Sequence, residues 1–121
     1  MSFVTTVLLL FPGVEHAEAR LLEVNAFRYR GMPVNLVSVE APNAALPPFH
    51  AWYGGTKSAL GHLYLGSFNH FDLPGFLQHL SQQVAWECPE HVQVLARREN
   101  EWAYSVYTDA GATQAYLAPE Q

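Results

Sequence analysis

Hydrophobic and polar positions along this chain alternate between two periods, and each change of period marks a change of element. VTTVLLLF, residues 4–11, is almost continuously apolar and is stopped by Pro12-Gly13. Such a run predicts a strand buried on both faces, hence one at the centre of a sheet. From Val14 the spacing lengthens. Val14, Ala17, Leu21 and Val24 recur at three- and four-residue steps with Leu22 beside them, while Glu15, Glu18 and Arg20 lie off the stripe. This predicts an amphipathic helix whose acids sit in the first turns, where the helix dipole favours them, and which ends before Gly31. VNLVSVE, following Met32-Pro33, then reads as a second strand.

The next strand is expected from Ala59 to Asn69. In regular alternation it places Leu60, His62, Tyr64, Phe68 and His70 on one face and Leu63, Leu65, Ser67 and Asn69 on the other. Asp72 stands where a helix N-cap is required, with Pro74 acceptable in the first turn. Leu73, Phe76, Leu77, Leu80 and Val84 form the helical stripe that follows, and Pro89 marks its stop. His91 to Arg98 and Trp102 to Thr108 read as two strands joined into a hairpin across Glu99-Asn100-Glu101. The order β-α-β, long loop, β-α-β-β predicts an α+β fold. In detail it predicts a ferredoxin-like sandwich, with a mostly antiparallel sheet and two helices on one face. Residues 1–109 form the single domain, and 110–121 are expected to fray.

Between the halves lies APNAALPPFHAWYGGTKS, residues 41–58, which follows neither period. An irregular stretch longer than about 12–15 residues is uncommon in a compact domain unless it is functional or mobile. Proline stiffens it, and aromatic side chains are favoured interface anchors, so Phe49, His50, Trp52, Tyr53 and Lys57 are the candidate binding residues. An Ω-like loop plugging one end of the core predicts the same residues. The segment WYGGTKS is no phosphate loop. Thr56 separates Gly55 from Lys57, and a strand, not a helix N-terminus, follows Ser58.

Composition narrows the function further. Six Lys and Arg stand against eleven Asp and Glu in 121 residues, a net charge of −5. Six scattered cations do not build the basic stripe that nucleic acid requires, whereas an acidic surface suits a basic protein partner. Cys88 is the sole cysteine, so no intramolecular disulfide forms. No apolar run approaches the roughly 20 residues of a membrane span. The apolar N-terminal segment lacks the basic residues that precede a signal sequence, and a cytoplasmic protein is expected.

The six histidines show no metal-binding spacing, and no motif calls for a cofactor. Cys88 is flanked by Glu87 and Glu90 at the end of a predicted helix, a setting that opposes a thiolate nucleophile. Helix capping alone accounts for Asp72 beside His70. No catalytic residue is assigned. The leading expectation is a small acidic module that binds another protein, in the manner of an inhibitor or immunity protein facing a basic partner. The alternative is a dimeric α+β barrel that binds a ligand or acts as a small oxygenase-like enzyme. That reading needs a pocket between sheet and helices with His62, Tyr64 and His70 as its polar handles.

Overall fold

The computed structural model describes residues 3–11, 16–38 and 62–118. The apolar run Val4–Phe11 forms strand β1. Helix α1 (Ala17–Val24) follows, then the two-residue strands β2 (Arg28–Tyr29), β3 (Met32–Pro33) and β4 (Val37–Ser38). Strand β5 (His62–Asn69), helix α2 (Leu73–Gln82) and strands β6 (Gln93–Arg98), β7 (Ser105–Thr108) and β8 (Thr113–Tyr116) complete the order.

Six strands form one sheet in the order β4-β5-β1-β6-β7-β8, and β2 and β3 pair apart from it. Every ladder in the sheet is antiparallel. Consequently β1 and β4 run parallel with β5 between them, and β5 and β6 run parallel with β1 between them. Each of these parallel pairs is linked through a helix, α1 in the first and α2 in the second. The result is an α+β architecture with an antiparallel sheet and two helices, compatible with a ferredoxin-like sandwich carrying an added β7–β8 edge.

The central placement expected of β1 is observed, because it pairs along its whole length with β5 and over six positions with β6. Its burial differs from expectation. Thr5, Val7, Leu9 and Phe11 are buried, whereas the intervening Val4, Thr6, Leu8 and Leu10 are only half-buried. The buried set faces the helices. Val7, Leu9, Tyr64, Val94 and Ala96 share one cluster with Val24 of α1 and with Phe76 and Leu80 of α2. Among the described residues, only this face of the sheet carries a second layer.

Helix α2 begins as its sequence requires. The Asp72 carboxylate accepts a hydrogen bond from the Gly75 backbone N–H at 3.1 Å, satisfying one of the free amides of the first turn. A Cβ at Gly75 would overlap that carboxylate, so glycine keeps the cap open. Helix α1 ends at Val24, the last apolar residue of its stripe and well short of Gly31. Its C-cap is Asn25, whose side chain bonds Leu36 twice, accepting from its N–H at 3.1 Å and donating to its carbonyl at 3.3 Å. Those bonds dock Val34 and Leu36 into the core, so of the predicted strand VNLVSVE only Val37–Ser38 joins the sheet among the described residues.

Gly31 does not terminate the helix either. With φ of 75° beside Arg30 at 52°, it forms the turn of the β2–β3 hairpin, where both central residues need positive φ. Part of the C-terminal segment expected to fray takes up a strand. Residues 113–116 pair with β7 as β8, and Ala118 donates its N–H to the Ser105 hydroxyl at 2.9 Å. Ser105 is buried and needs such a partner.

Two substitutions separate cap from core in urea unfolding. Asp72→Ala is expected to lower stability by about 1 kcal/mol. Phe76→Ala, at a fully buried position, is expected to lower it by about 3–5 kcal/mol. Equal midpoints for the two variants would contradict this division.

Candidate functional site

The aromatic loop with Phe49, His50, Trp52, Tyr53 and Lys57 lies outside the described residues. Of the alternative set, His62 begins β5 opposite Phe11 in the ladder. Tyr64 is buried on the helix-covered face, its ring stacked 5.3 Å from Phe11. His70 leaves the strand alternation altogether. It is exposed and has φ of 52° in the turn after β5, where its backbone N–H bonds the Phe3 carbonyl at 2.8 Å. Six residues of chain separate Tyr64 from His70, roughly 20 Å along an extended strand. The two do not converge on one pocket.

Side chains of the described residues pack at both ends of the space between sheet and helices. Phe11 contacts Trp86 at 4.9 Å, and the Trp86 indole N–H donates to the Leu80 carbonyl at 2.8 Å. At the other end Phe27, Tyr29, Phe68, Phe71 and Phe76 pack as an aromatic cluster, with ring centroids of neighbouring members 5.0–6.5 Å apart. Polar bonds fasten α1 to the chain around α2. Arg20 pairs with Glu23 and Glu87 at 3.0 Å and donates to the Ala85 carbonyl. Glu23 in turn accepts from the Ala85 N–H at 2.9 Å, and its carbonyl meets the His79 ring nitrogen at 2.8 Å.

Other chemical candidates are accounted for locally. Among the described residues no three of His, Cys, Asp and Glu gather as metal ligands. Cys88 is exposed, and its carbonyl accepts the His91 N–H at 3.0 Å in a short helical turn over Pro89–His91. Asp72 serves as the helix cap.

What the fold assembles, and the sequence reading passed over, is the face of the sheet that no described helix covers. Register places Val37 opposite Leu65, Leu65 opposite Leu8, Leu8 opposite Leu95, Leu95 opposite Val106 and Val106 opposite Tyr116. An apolar side chain thus occupies every strand at one level. Val37 is 48% exposed, Leu65 40% and Tyr116 50%, and the other three are half-buried. One level along, Leu63 and Leu10 continue the patch before Gln93 ends it.

On the opposite side of the row the surface turns polar. Thr6 and Ser67 share a hydrogen bond at 3.1 Å, and Arg97 follows in register. Arg97 donates to the Glu101 carbonyl at 2.8 Å and lies 6.0 Å over the Tyr104 ring. The outward positions of β1, β5 and β6 bear no carboxylate. The signal for this face was present in the sequence, as the continuous apolarity of VTTVLLLF and the Leu63–Leu65 spacing on β5. No protein-family model, curated protein or solved structure matches this chain.

Tyr29 supplies a pH test of the aromatic end. Burial among the rings pushes its phenol above the usual value near 10. The folded state therefore holds the neutral form more firmly than the unfolded chain does. That contribution is fully present below about pH 10 and is lost as pH rises through the folded value. Stability is expected to fall as pH rises above about 10, and Tyr29→Phe should lessen that fall in urea unfolding at each pH.

Proposed function

We propose that this chain is a protein-binding module, built as a ferredoxin-like sandwich, that engages its partner through the open face of its sheet. The apolar row from Val37 to Tyr116 carries this reading. An antiparallel sheet with one solvated face ordinarily points polar residues outward. Here β1 and β5 turn Leu8, Leu10, Leu63 and Leu65 that way. Single exposed apolar residues are common, but contiguous patches beyond a few hundred Å² mark interaction sites.

The face favours a partner with an apolar surface of its own. Carboxylates such as Glu18, Asp72 and Glu90 lie on helix and turn positions instead. The version of this reading with a basic partner, in the manner of an inhibitor or immunity protein, would draw on those outer positions. The ligand-binding barrel draws less support, because Tyr64, one of its intended handles, packs against Phe11 beneath the helices.

A photo-crosslinking residue placed at position 65 tests the proposal in cells. It should yield a discrete protein adduct identifiable by mass spectrometry. The same residue at position 22 is the control, since Leu22 is 74% exposed but lies on α1. Failure of positions 65 and 37 alike to capture any protein would sink the reading.

A further inference from the structure

We infer that the open face is covered by the open face of a second copy of this chain, giving a two-fold dimer with two sheets inside and helices outside. The inference rests on the protein-binding reading and names its partner. Its first support is the chemistry of β1. Near-continuous apolarity is the pattern of a strand covered on both sides, yet the helices cover only Thr5, Val7, Leu9 and Phe11. No described element covers the other side, and a layer laid there must present apolar groups at the level of Leu8 and Leu10. A second copy does so with the same residues.

Symmetry makes that match automatic. A two-fold axis lying in the plane of contact and through the row sets Val37-to-Tyr116 against its own image, the self-complementary contact of an isologous dimer. Area is adequate as well. Six strands about 4.8 Å apart, with a central strand of eight residues rising about 3.3 Å each, span at most roughly 600 Å² in flat projection. Side-chain relief raises the accessible area toward the roughly 800 Å² per partner of a standard interface.

Polarity is the third support. Two like faces of acidic proteins repel if their carboxylates meet, but the outward positions of β1, β5 and β6 bear none. The hydroxyls that would lose water, those of Thr6 and Ser67, already bond each other at 3.1 Å. Arg97 already has the Glu101 carbonyl and the Tyr104 ring. Each of these groups therefore keeps at least one partner when the face is covered.

The test is sedimentation equilibrium of the full chain with far-UV circular dichroism of each variant. The unmodified chain should sediment as a dimer. Leu65→Lys and Val37→Lys, at partly exposed positions where lysine fits a folded monomer, should each weaken self-association about a hundred-fold without loss of ellipticity. Leu22→Lys on α1 should leave the dimer intact. A chain that is monomeric at every concentration, or a dimer indifferent to both face substitutions, overturns the inference. Crosslinking at position 65 separates the two levels of failure. A monomer that still captures a different protein there refutes the second copy and leaves protein binding standing. A monomer that captures nothing removes both.

Discussion

The rest of the structure depends on the double pairing of β1. Its eight residues are bonded to β5 on one side, and six positions are matched to β6 on the other. A strand so placed has no free edge, and its register assigns every side chain of three strands to a face. A slip of one residue would carry Val7 and Leu9, both fully buried, to the outside and bring Leu8 and Leu10 in. Both sets are apolar, so hydrophobicity on β1 alone discriminates weakly between the two registers. The discrimination comes from its neighbours. Tyr64 and Val94 flank Leu9 on the covered side, whereas Ser67, Asn69, Gln93 and Arg97 occupy the other face of β5 and β6.

The two faces are therefore held by different means. Beneath the helices, close packing is reinforced by polar bonds that tie α1 to α2 and its following turn, through Arg20, Glu23 and His79. On the open side the strands are held by their own ladders, helped by contacts between outward side chains such as the Thr6–Ser67 bond. This asymmetry leaves the aliphatic row available without weakening the layer that supports it. A sheet face held by backbone ladders loses little conformational freedom on binding, which favours association per unit of buried area.

Much of this was legible in the sequence, and the parts that were not share a cause. Long elements with a strong period were readable: β1, β5, α2 and the β6–β7 hairpin appear where the pattern put them, within a few residues. Asp72 was readable as a cap because capping is a local interaction. The misreadings arose where distant contacts override local preference. Asn25 looks like helix in the sequence and becomes a clamp on Leu36, eleven residues away. Gly31 was read as the end of that helix and instead turns a hairpin. The small-residue tail became β8 because β7 offered it an edge and Ser105 a hydrogen bond. The open face was missed for a related reason. VTTVLLLF announces apolarity on both sides, but only the assembled sheet reveals which side goes uncovered, since Val37, Leu65, Leu95 and Val106 come from four other strands.

The bonds at the start of β1 carry a consequence for how the chain reaches this state. The Phe3 N–H bonds the Asn69 side chain across 66 residues, and the Val4 N–H bonds Glu99 across 95. The most apolar strand thus waits for partners made far downstream, while α2 and the β6–β7 hairpin can form from nearby residues alone. Such topology places loop-closure entropy ahead of its reward and slows folding. During synthesis, a bare VTTVLLLF is a segment of high β-propensity without charge or proline, the kind most prone to pair with the wrong neighbour. The centre of the finished sheet is therefore also the part of the nascent chain in greatest need of shelter.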